Sequence, residues 1–140
     1  MPQARRITPA ILFSRDLACD IAGVTPAEVE RWEQAFGLQF GAQRDGSLSL
    51  RDVLGLCVLR ELASRLGARL WAFGPGFAQL LNALAQADEP DRLDDHVAIV
   101  GPDYARLCQA RADHLRCAGD GFLTVSLGPL LADLRDQVFS

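Results

Sequence analysis

Apolar positions between Ser14 and Leu66 recur at helical spacing, and residues that start or stop helices punctuate them. Leu17, Ala18 and Ile21 form one face of a short helix that Ser14 is placed to cap and Gly23 to end, since glycine enters the left-handed conformation at little steric cost. Thr25-Pro26-Ala27-Glu28 is a second start. The threonine hydroxyl accepts from a free N–H, proline occupies a first turn that needs no donor, and Glu28 reaches back toward the cap. Val29, Trp32 and Phe36 then lie on one inward stripe, with Glu28, Arg31 and Gln34 away from it. Phe40 to Leu48 contains Asp45-Gly46, a favoured two-residue turn, and predicts a short β-hairpin. Ser49-Leu50-Arg51-Asp52 repeats the capping pattern ahead of a third helix. Its wide apolar set of Val53, Leu56, Cys57, Leu59, Leu62, Ala63 and Leu66 marks it as central, and Gly67 ends it.

Beyond Gly67 the pattern stays helical through 68–87, with Gly74-Pro75-Gly76 expected to stop or sharply kink the helix. Trp71, Phe73 and Phe77 read as core or domain-interface residues. His96 to Val100 reads as a buried strand. Pro102 or Asp103 opens a helix with Tyr104, Leu107, Cys108 and Leu115 inward, and Gly119-Asp120-Gly121 is a turn. Phe122 to Leu127 alternates as a strand, and Gly128 and Pro129 open a last helix with Leu130, Leu131, Leu134 and Val138 inward. The order β-α-β-α predicts two parallel strands joined by a crossover helix. The fold class expected is mainly α, with a small C-terminal βαβα element. The expected divisions are 1–67, connecting helices over 68–87, an acidic linker over 88–95, and a small α/β unit over 96–140. Two strands in about 45 residues make a marginal unit. A homodimer is therefore expected, with the sheet or the last helix at the contact.

Charge sharpens the division at 88–95. The chain has 140 residues and a formal net charge of −4, and every one of its 14 cations is arginine. Residues 88–95 hold five acids and one Arg, so the charge sits there, in a segment that reads as solvated. The total excludes a strongly basic nucleic-acid binder. No apolar run is long enough to cross a bilayer, and no secretory signal follows Arg5 and Arg6, so a cytoplasmic chain without a membrane partner is expected. Cys19, Cys57, Cys108 and Cys117 form no C-x-x-C pair and read as reduced structural thiols. His96 and His114 are the only histidines. No nucleophile turn and no complete phosphate-binding glycine loop is present. No enzyme activity, cofactor or metal site is expected.

Two helices joined by Gly-Val-Thr and followed by a hairpin make a helix-turn-helix candidate with a wing. Phe13-Ser14-Arg15-Asp16-Leu17, Ile21-Ala22-Gly23-Val24-Thr25, Val29-Glu30-Arg31-Trp32-Glu33 and Ser49-Leu50-Arg51-Asp52-Val53, in that order, resemble the winged helix-turn-helix of the MerR and excisionase-like family. The likeness covers Phe13 to Gly67. It implies a transcription regulator of bacterial or phage type that binds double-stranded DNA, its second helix in the major groove and its wing on the backbone or minor groove. Carried over by position, the contacts are Thr25, Ala27, Glu28, Glu30, Arg31, Gln34, Arg44 and Ser47, with Arg15 and Arg51 on phosphates. Glu30 stands where the family usually has a basic residue, and the wing lacks the usual aromatic and Arg. Six acids face four arginines from Ser14 to Arg51. Phosphate attraction normally dominates affinity. The alternative is an adaptor of the same fold that binds a protein, for example of the transcription machinery, without touching DNA.

Overall fold

In the computed structural model of the chain, residues 11–41, 46–109 and 122–139 are described. Arg5, Arg6, Arg44, Asp45, His114, Leu115, Cys117 and the Gly119–Gly121 turn lie outside them. The first half follows its local signals closely. β1 (Leu12–Phe13) leads into α1 (Arg15–Ala22), with the Ser14 hydroxyl accepting from the Leu17 N–H and Gly23 in the left-handed conformation at its end. α2 (Pro26–Phe36) opens with both halves of the Thr25–Glu28 capping box. β2 (Leu48–Ser49) runs straight into α3 (Leu50–Leu66), capped by a second reciprocal box between Ser49 and Asp52. Every residue of α3 from Val53 to Leu59 is buried, as its wide apolar face predicts.

Three local expectations change. Leu17 is 49% exposed rather than inward, because α1 turns Ala18, Cys19, Ile21 and Ala22 into the core and leaves Leu17 a step off that face. Leu48 of the expected hairpin pairs across to Phe13 of β1, an antiparallel two-strand contact that ties the chain before α1 to the start of α3. Of the two places expected for Trp71, core or domain interface, the core is excluded: it is 44% exposed and lies across Phe36 of α2, ring centroids 5.7 Å apart.

A 3-10 segment (Gly67–Phe73) carries the chain to α4 (Gly74–Gln86). Gly74-Pro75-Gly76 therefore starts a helix, with proline in the first turn where no donor is needed. Its second glycine is a close approach. A Cβ on Gly76 would stand 1.8 Å from the Gly101 carbonyl oxygen, and the Gly76 N–H donates to Pro102 at 3.0 Å.

The C-terminal part departs from βαβα. β3 (His96–Val100), β4 (Ala105–Gln109) and β5 (Leu123–Ser126) form one antiparallel sheet in the order β4-β3-β5, and α5 (Leu127–Phe139) closes the chain. The segment read as a crossover helix from Pro102 or Asp103 is a tight turn and a strand, and Tyr104 is 44% exposed. The cause is tertiary. Val97 to Val100 are at most 3% exposed, so the backbone groups of β3 need partners on both edges, and β4 and β5 provide them. The 88–95 segment is exposed at Asp88, Glu89, Arg92, Asp94 and Asp95 but packed onto the fold at Pro90, Asp91 and Leu93. Pro90 to Arg92 form a 3-10 turn, Asp91 is 1% exposed and Leu93 8%. Arg135 of α5 clamps it, donating to the Asp91 carbonyl at 2.6 Å and to the Asp94 carboxylate at 2.9 Å. One continuous apolar core runs from Phe13 through α3 and α4 to Ala98, Val125 and Leu134. The third strand and this shared core remove the incomplete sheet from which a homodimer was expected. Cys19 and Cys57 lie inside the core, where burial pushes both thiols up, Cys57 to about 12.

Candidate nucleic-acid interface

The candidate surface begins with the turn between α1 and α2. The Val24 side chain is buried and its N–H donates back to Cys19 at 3.0 Å, which sets α2 at a fixed angle to α1. In α2, Val29 and Trp32 are 0% and 4% exposed and anchor the inner side. The opposite flank carries Ala27, Glu30, Arg31 and Gln34, all exposed, and no part of the described chain covers it. This is the face that the sequence pattern singled out.

Thr25 and Glu28 sit at the N-terminal end of that flank with their polar atoms already engaged. The Thr25 hydroxyl accepts from the Glu28 N–H at 3.1 Å, and the Glu28 carboxylate accepts from the Thr25 N–H at 3.0 Å and from its hydroxyl at 3.2 Å. Their first role is to start the helix.

The two arginines carried over as phosphate contacts are half-buried and already engaged within the chain. Arg15 donates to the Glu33 carboxylate and, at 3.5 Å, to the Phe40 carbonyl. Glu33 also accepts from the Phe40 N–H at 2.8 Å, so one carboxylate ties α1, α2 and the chain after α2 together. Sequence reading gave Glu33 no role, because its partner is 18 residues away and no spacing rule links them. Arg51 reaches the far end of α4, donating to Leu84 at 3.1 Å and to Ala87 at 2.6 Å. A cation at the last carbonyls of a helix satisfies groups that have no intrahelical donor and lies in the favourable end of the dipole. Ser47 is half-buried beside β2, and its neighbour Arg44 belongs to the residues left undescribed.

The structure thus brings Glu30, Arg31 and Gln34 together on one open flank and assigns Arg15 and Arg51 to internal contacts. Among the described residues no group of His, Cys, Asp or Glu side chains is placed to hold a metal ion, and no helix is long and apolar enough to cross a membrane. The chain matches no protein-family model, no curated protein and no solved structure.

Proposed function

We propose that the chain is a transcription regulator that binds double-stranded DNA through the outer flank of α2, in the manner of a winged helix-turn-helix. The supporting observation is the open flank itself: a helix set by a three-residue turn against α1, anchored inward by Val29 and Trp32, with Arg31 and Gln34 free of other structure. Arg31 and Gln34 have the donors to read guanine and adenine edges, and Glu30 accepts from a cytosine amino group. Ser47 supplies a backbone contact, and Arg44 is the further phosphate contact that the resemblance implies.

The test is selection of duplexes from a random library by the full chain, followed by anisotropy titration of the enriched sequence. Arg31→Ala is expected to weaken binding about tenfold or more, in line with about 1–3 kcal/mol for a base-reading arginine. A second reading, the protein-binding adaptor, draws on the engagement of Arg15 and Arg51 within the chain, which leaves the flank with Glu30 against Arg31 and no excess of positive charge. Failure to enrich any duplex, with a protein partner whose binding Arg31→Ala disrupts, replaces the first reading by the second.

A further inference from the structure

Most of the described arginines are taken by the fold. Arg15 is held by Glu33 and Arg51 by the end of α4; Arg65 donates to the Thr124 carbonyl and Arg92 pairs with Glu89 at 3.0 Å. Arg106 and Arg135 also have partners in the chain. Arg31, Arg60 and Arg69 form no hydrogen bond or ion pair among the described residues. Arg31 is already part of the α2 flank, and Arg60 lies beside it.

Arg60 belongs to α3 but rests against the turn between α1 and α2. Its neighbours Val58, Leu59 and Leu62 are fully buried, so its backbone is fixed on the central helix while its own side chain is exposed. The guanidinium is laid over Gly23. A Cβ there would stand 3.1 Å from the Arg60 Nε and 3.4 Å from its Cζ, so the side chain fits because Gly23 has none. Gly23 is itself exposed, and it stands two residues before the Thr25 cap of α2. The acids nearest in the fold are otherwise engaged. Glu61 pairs with Arg65 at 3.7 Å, and Asp133 of α5, which shares the surroundings of Cys57 with Arg60, accepts from Gln137 at 3.2 Å.

We propose that Arg60 is a phosphate contact of the bound duplex, meeting the backbone beside the N-terminal end of α2. The proposal rests on the DNA reading of the α2 flank and extends it to a residue on another element. When the second helix of a helix-turn-helix lies in the major groove, the first crosses the sugar–phosphate backbone, and the turn between them stands at the rim of the groove. A guanidinium held there presents its amino groups in the fork that suits a phosphate. Packing on Gly23 restrains the side chain before binding, so less rotamer freedom is lost on contact. The sequence pattern gave no sign of this role, because Arg60 sits on a helix whose spacing speaks only of the core and its place over Gly23 is a tertiary contact.

The test uses the duplex enriched by the full chain. Arg60→Ala and Arg60→Gln are each expected to make the slope of log affinity against log salt shallower by about 0.9 per bound chain. Between 50 and 200 mM salt the wild type then loses about 3.5-fold more affinity per chain than either variant, and Arg60→Lys keeps most of the slope. Preference among duplexes stays the same, since a phosphate contact carries no base information. Replacing single phosphates by uncharged methylphosphonates locates the contact: one position weakens the wild type and leaves Arg60→Ala unaffected. Thermal melts of the variants match the wild type, because Arg60 bonds to nothing in the described chain, and the glutamine variant covers a folding failure of the alanine one. An enriched duplex with the same slope and the same methylphosphonate profile for wild type and both neutral variants overturns the Arg60 contact and leaves the DNA reading standing. A base preference that shifts with Arg60→Ala moves the residue to the base edges and also overturns it. If no duplex is enriched, the DNA reading fails and this contact fails with it.

Discussion

Replacing Arg51 by alanine separates two roles for one residue. On the sequence it is a phosphate contact; in the fold it is the cap of α4. Its guanidinium makes two hydrogen bonds, to the carbonyls of Leu84 and Ala87, at 3.1 and 2.6 Å. A hydrogen bond to a charged group contributes about 1.5–3 kcal/mol. Two at one half-buried side chain do not add fully, and water resolvates carbonyls that lie at a helix end, so about 2–3 kcal/mol is the expected loss. For a chain of this size that corresponds to roughly 6–10 °C in Tm. Urea denaturation followed at 222 nm measures it. Arg51→Lys keeps the charge but loses the fork and restores only part of the stability. DNA affinity, corrected for the folded fraction, should hold. A stability change below about 0.5 kcal/mol, together with a clear loss of affinity for DNA, would refute the capping role and return Arg51 to the interface.

Gly76→Ala is expected to destabilise by at least about 2 kcal/mol despite alanine's better helix propensity, because its Cβ meets the Gly101 carbonyl and strains the Gly76–Pro102 bond. Gly37→Ala, at a left-handed φ of 66° with open space around it, is the control and costs about 1 kcal/mol in the same urea titration. Cys57 gives a pH signature. Its folded pKa is raised to about 12 from 9.0, first by burial, so the unfolded chain releases that proton more readily. Stability from this group is complete below pH 9 and is lost as pH rises toward 12, and Cys57→Ala should flatten that decline in melts at pH 8 and 10.5.

The helices of the first half were legible because each start and stop is a local chemical event. Ser14, Thr25 and Ser49 each cap through bonds within three residues, and Gly23 answers a local φ, so no distant contact was needed to place α1, α2 or α3. β4 was not legible for the opposite reason. Ala-Arg-Leu-Cys-Gln has no β-branched residue and reads as helix by propensity; the strand forms because β3 requires an edge partner five residues back across a tight turn. Asp91 and Arg135, 44 residues apart, hid the packing of the acidic segment in the same way. The outer flank of α2 was visible from the Val29–Trp32 stripe alone. What the sequence concealed was which arginines remain available to a ligand, since Arg15 and Arg51 find partners 18 and 33–36 residues away.

That distinction has a quantitative consequence for DNA. Each phosphate neutralised contributes about −0.9 to the slope of log affinity against log salt. If all four arginines from Arg15 to Arg51 met phosphates, a single bound chain would show a slope of roughly −4; with Arg15 and Arg51 kept in their contacts within the chain and only two arginines left for phosphates it falls to roughly −2. Two chains on one site would double both figures, so the slope of one protein is ambiguous and the change on substitution is the sharper quantity. Arg15→Ala removes a charge that Glu33 already neutralises, and leaves the slope where it was. Arg31→Ala removes an exposed one and makes the slope shallower by about 1 per chain. Anisotropy titrations between 50 and 200 mM salt resolve a difference of that size. A slope that Arg15→Ala reduces as much as Arg31→Ala would mean that the Arg15–Glu33 pair opens on the duplex, and the interface would then have to include the face of α1.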